Sequence, residues 1–213
     1  MLTSLEPALD TPERLPFVRK LRNFMADHGL DDVPALVLQC APDEPHAPDL
    51  KAQALQQALL QGAGQTGHGD WWSGFMGGAS FTVFEGIAAT NEWAEPKWTT
   101  EFQHDGHVLA GIRLTVLTHI DGVPDNIENA FPHFGLLVEN LYSAGGINGK
   151  MRVTASLVNA KGLRMLKFHK YGQPSARELR REMLEWPLRH ASNVGDLETI
   201  CKDMQDQMRR VFP

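Results

Sequence analysis

The sequence predicts a single α+β domain in which a mainly antiparallel sheet is packed with helices. Three observations carry this expectation. Asp105-Gly106 stands between two strand-like runs, Lys97–His104 and His107–Leu117, and Asp-Gly is the preferred pair of a type I′ hairpin turn. Connections of hairpin type outnumber possible βαβ crossovers along the chain, which disfavours a doubly wound parallel sheet. The chain has 213 residues, 42% hydrophobic and 22% charged, the size and composition of one globular domain.

The elements follow in order. Thr11-Pro12-Glu13 suits a helix start, with a Thr cap, a first-turn proline and an acid beside it. Phe17, Val18, Leu21, Phe24 and Met25 then recur at helical spacing until Gly29. Ala35-Leu-Val-Leu-Gln reads as a buried strand and Ala41–Pro48 as a proline-rich loop. A second helix from Asp49 carries Leu50, Ala54, Leu55, Ala58 and Leu59. Ser80–Glu85 and Lys97–Gln103 are rich in aromatic and β-branched residues and read as strands. Asp121-Gly122 repeats the turn chemistry further on.

Phe131, Phe134, Leu137, Val138 and Leu141 mark a helix with Pro132 in its first turn or kinking it, and Gly145-Gly146 at its end. Met151–Val158 and Gly162–Phe168 are two further strands around the turn Asn159–Lys161. Ser175-x-x-Glu178 is a capping box that predicts a helix running into Trp186-Pro187. Asp196 caps a final helix with Leu197, Ile200, Cys201, Met204, Met208 and Val211 on one face, where the methionines read as core.

Between the second helix and the next strand lies a glycine-rich loop, residues 61–78, with seven glycines and no apolar periodicity. It lacks the GK[ST] ending of a P-loop and matches no dinucleotide fingerprint. His68, Asp70, Trp71 and Trp72 are its candidate ligand-binding residues, because adjacent indoles on a loop stack on rings or peptides. The competing reading has one tryptophan pinning the loop to the core.

Charge is uneven. Residues 1–149 carry 7 basic and 19 acidic side chains, while residues 150–181 carry nine basic ones and Glu178 alone. Lys150, Arg152, Arg164, Lys167, Arg177, Arg180 and Arg181 are therefore candidates for holding an anion or partner, with nucleic acid the extreme case. The net charge of −6 disfavours nucleic acid for the chain as a whole.

Catalytic signatures are sparse. His104-Asp105-Gly106-His107 places two imidazoles around a turn, where both rings would share a face if the loop held two residues. With His68 or His133 they are the one candidate for a metal-dependent or acid–base enzyme. HEXXH, EF-hand, zinc-ribbon and G-x-S-x-G patterns do not occur. No catalytic residue, metal ligand or cofactor is assigned. Cys40 and Cys201 read as buried free thiols. Neither a signal-peptide pattern nor an apolar run of ~20 residues is visible, so a soluble cytoplasmic protein is expected.

The run PALVLQCAPDEP, then EFQHDGHVLAG, then MRVTASLVNAKGLRML resembles the region that follows the Schlafen AlbA-type DNA-binding domain in bacterial regulators. The matching positions are Pro34, Phe102, Asp105, Gly106, Val153, Ser156, Leu157 and Gly162. The DNA-binding domain itself has no counterpart in this sequence. The resemblance implies an accessory, sensing or partner-binding domain without catalytic residues. A non-catalytic binding domain of a regulatory or defence protein is the function expected.

Overall fold

A computed structural model describes residues 11–63, 72, 79–91, 98–114, 117–120, 127–167 and 175–211. The α+β expectation holds: a mostly antiparallel sheet is packed against four helices. The helices are α1 (Leu15–Asp27), α2 (Gln53–Gln61), α3 (Ala130–Gly145) and α4 (Leu197–Val211). Seven strands give the main sheet its order: β10 (Leu184–Glu185), β7 (Met151–Val158), β1 (Ala35–Pro42), β5 (Val108–Arg113), β4 (Trp98–Gln103), β3 (Gly86–Asn91) and β2 (Ala79–Val83). The eighth, β11 (Arg189–Ala191), also pairs with β7. A separate three-stranded sheet joins β6 (Leu117–Ile120), β8 (Arg164–Lys167) and β9 (Ser175–Glu178), with β6 and β8 parallel.

β1 is central and buried at all eight positions because both faces of the sheet are covered. Leu36, Leu38 and Cys40 face the larger core with Phe131, Phe134, Leu137 and Leu141 of α3 and Met204 and Met208 of α4. The methionines are core, as their spacing suggests. Ala35 and Val37 point the other way, toward Leu21, Phe24 and Met25 of α1. Helix α1 seats closely at Gly111, where an added Cβ would stand 2.5 Å from the Phe24 ring.

Several local expectations give way to tertiary context. α1 begins at Leu15, and Thr11 instead closes a turn by accepting from Arg14 N. α2 begins at Gln53, since Asp49 holds a preceding turn through Lys51 N and Ala52 N. The capping-box segment 175–186 is not a helix but contains β9 and β10. Its backbone serves neighbours: Leu179 N donates to Leu163 O and Leu179 O accepts from Gly162 N. Non-local pairing there outweighs a weak helical preference. The strands β7 and β8 are not partners either, because they lie in different sheets.

The Asp105-Gly106 turn forms, but not as type I′. Gly106 alone has positive φ, Gly106 N donates to Gln103 O, and Gln103 N donates to His107 O. This is a three-residue loop with glycine in the left-handed position. β3 follows β2 directly and has no aromatic strand signal in the sequence. Two residues, Phe84 and Glu85, join it to β2, and Val83 pairs with Gly86. Glycine is required at 86, because an added Cβ would lie 2.0 Å from the backbone oxygen of Phe102.

Candidate functional site

The sheet face beneath α1 is unusually polar. β4 brings Glu101 and Gln103, β5 is preceded by His107, β1 brings Gln39, and β7 brings Thr154 and Ser156, all buried. Lys20 of α1 enters this layer, and its Nζ lies 3.0 Å from Asp105 Oδ2 and 3.3 Å from Glu85 Oε2. It also donates to Gln103 Oε1, whose Nε2 donates to Glu101 Oε1 at 2.8 Å. Glu101 Oε2 in turn lies 3.2 Å from His28 Nε2 at the end of α1. Asn23 donates to the second oxygen of Glu85 at 2.9 Å. These partners are what make a buried ammonium and a buried carboxylate tolerable.

Titration follows from this packing. Burial alone would raise the Asp105 carboxyl, but the hydrogen bond and charge of Lys20, with the His107 N–H, hold it below its ordinary value. Burial pushes the His107 imidazole down to about 3, helped by the charges of Lys20 and Arg152 and opposed by Asp105. His107 is therefore neutral, with Nε2 unpartnered and the Phe17 ring 4.9 Å from its own. Gln39 Oε1 lacks a partner in the same layer. Burial likewise raises both Cys40 and Cys201 to about 12, so neither thiol is activated.

The structure separates the candidate histidines. His104 is exposed in the three-residue loop, whereas His107 is buried under α1, because a loop one residue longer than expected takes them out of register. His133 sits on α3, across the sheet from His107. Among the described residues no three His, Cys, Asp or Glu side chains group as metal ligands.

Trp72 is not a presented ring. It is fully buried, donates from Nε1 to Ala130 O at 3.2 Å, and meets Trp98 edge-on at 6.3 Å. The pinning alternative describes it. Its neighbours His68, Asp70 and Trp71, and most of the loop 61–78, lie outside the described residues, as does Asp121-Gly122.

The basic stretch is distributed over the fold. Lys150 and Lys161 flank opposite ends of β7, whose eight residues span roughly 26 Å. Arg152 is engaged by Asp43 at 3.0 Å and lies 5.6 Å above the Phe17 ring, and Lys161 pairs with Glu182. Arg164, Arg180 and Arg181 are exposed. The side chains of Lys167 and Arg177 are outside the described set.

Among the described residues β2 ends the sheet, and Ser80, Phe81 and Thr82 are exposed along it. At the hairpin tip Phe84 is 94% exposed, and Phe81 is 40% exposed with its ring 6.5 Å from that of His28. The tip is held firmly behind these rings. Glu85 O accepts from His104 N at 2.9 Å, while the Glu85 carboxylate is gripped by Lys20 and Asn23.

The chain matches no protein-family model, no curated protein and no solved structure.

Proposed function

We propose that this chain is a non-catalytic partner-binding domain, an accessory module of a cytoplasmic bacterial regulatory or defence protein. Its interaction element is the β2–β3 hairpin. The observation that carries this reading is Phe84, 94% exposed beside Phe81 on a braced sheet edge. Burying a phenylalanine is worth about 1.5–3 kcal/mol, so a rigid tip that leaves one in water gains substantially when a partner covers it.

The likeness to the region accompanying Schlafen AlbA-type domains fits the same role. Phe102, Val153, Ser156 and Leu157 belong to the central strands β4 and β7, and Asp105-Gly106 to the hairpin between β4 and β5. They form the scaffold that places the edge rather than a reaction centre.

Photo-crosslinking in bacterial cells tests the reading, with a photoreactive phenylalanine at position 84 or, as a control, at exposed position 202. The expected result is a discrete crosslinked protein from position 84 that position 202 does not give. Identical products from both positions, or none, would refute it.

A further inference from the structure

We infer that the partner of this edge is an extended peptide segment, apolar in its centre and flanked by basic residues, which adds to β2 as a further strand. The inference rests on the partner-binding reading and specifies its mode. β2 is paired on one side only among the described residues, through an unbroken register from Ala79–Thr90 to Val83–Gly86. Sheet edges are ordinarily blunted by lysine, proline, a bulge or a covering element. The sequence Ala-Ser-Phe-Thr-Val has neither lysine nor proline, its register has no bulge, and its middle three side chains are exposed. Such an edge offers main-chain donors and acceptors to an incoming strand, and Phe81 and Phe84 offer apolar contacts beside them.

The size and charge of the edge select the occupant. Five residues of strand span about 17 Å, too short to supply the ~1,200 Å² that a stable dimer interface starts from. A peptide needs less, since one strand's main-chain bonds and one or two aromatic anchors suffice for transient binding. No charge occurs from Ala79 to Phe84, and the tip carboxylate Glu85 is already paired with Lys20. The chain carries −6 overall, which favours a segment with basic flanks and disfavours a second copy of itself.

The test uses the full chain and a labelled ten-residue peptide, alternating valine and threonine between terminal lysine pairs. A second peptide has the same side chains with its central amides N-methylated. Fluorescence polarisation is expected to show binding below about 1 mM for the first peptide, at least ~10-fold weaker for the second, and similarly weakened by Phe84→Ser. Hydrogen exchange should show new protection at Ala79–Val83. Equal binding of both peptides would overturn strand addition while leaving a partner-binding hairpin intact. No binding of the first peptide would overturn it as well. A concentration-dependent dimer abolished by Phe81→Lys would assign the edge to a second copy and overturn the peptide. Failure of the partner-binding reading itself appears separately, as loss of the position-84 crosslink.

Discussion

Lys20 Nζ lies 3.0 Å from Asp105 Oδ2, which binds α1 to the tip of the β4–β5 hairpin. The same ammonium reaches Glu85 at the tip of the neighbouring β2–β3 hairpin. One cation thus braces two turns at the same end of the sheet, and the edge that carries Phe81 and Phe84 is anchored from behind. Removing it leaves two carboxylates and the Gln103 amide without their common donor. Lys20→Met is expected to cost about 2–4 kcal/mol in urea unfolding, toward the lower end because Asp105 is 45% exposed and water replaces part of the pairing. A change within ~0.5 kcal/mol, the range of ordinary surface substitutions, would show that Lys20 does not brace the turns.

His107 makes stability depend on pH. Its ordinary value is 6.5 and burial lowers it to about 3 in the folded protein, so between these values the unfolded chain takes up a proton that the folded one refuses. Stability is therefore fully present above pH ~6.5 and falls by up to about 1.4 kcal/mol per pH unit on acidification. Asp105, held below its ordinary 3.8, adds a loss of the same sign at lower pH. Urea midpoints measured from pH 7 to 4 should fall more steeply for the wild type than for His107→Gln. Parallel curves would contradict a buried neutral imidazole.

Gly86→Ala tests the close approach of β3 to β4. The added Cβ would meet Phe102 O at 2.0 Å, and that atom is backbone, so no side-chain rotation relieves it. A loss of about 3 kcal/mol or more is expected, at the upper end for overpacking. A control lies at Gly135, where the nearest atom to an added Cβ is 3.4 Å away. Gly135→Ala should cost far less, and comparable losses would sink the assignment.

Asn159 ties the end of β7 to the loop ahead of β1. Its Nδ2 donates to the carbonyls of Leu30, Asp31 and Val33, and its backbone φ is 50°. Asn159→Gly accommodates the backbone but removes the amide and should cost about 1 kcal/mol. Asn159→Ala adds backbone strain and should cost roughly 1 kcal/mol more. Equal thermal shifts for the two variants would place the whole effect in the hydrogen bonds.

The parts legible in sequence are those governed by local pattern. The helical spacing of Phe17 to Met25 and of Phe131 to Leu141 reappears as α1 and α3, and Met151–Val158 is β7 to the residue. Trp72 was legible only as a choice between a presented and a pinned ring, which Ala130 O decides for pinning. What escaped depends on contacts distant in sequence. β3 is mostly small residues with no aromatic signal, and exists because β4 pairs along all of it. The Ser175–Glu178 capping box is a sound local signal defeated by a partner strand 11 residues earlier, where Lys167 faces Ser175 and Arg164 faces Glu178. Lys20 gives no sign of burial among the basic residues of an amphipathic helix; its partners Glu85, Gln103 and Asp105, the first of them 65 positions on, account for it. The exposure of Phe84 was hidden for the same reason, since a phenylalanine in a strand-like run reads as core until the turn is placed.

Affinity for the protein captured through position 84 tests the central claim most directly. It would be measured by calorimetry with wild type and with Phe84→Ser, after confirming that both unfold at the same temperature. A partner-binding edge predicts at least a ~10-fold loss in the variant, the equivalent of about 1.4 kcal/mol from one uncovered ring. Undiminished affinity would place the interaction elsewhere and contradict the account.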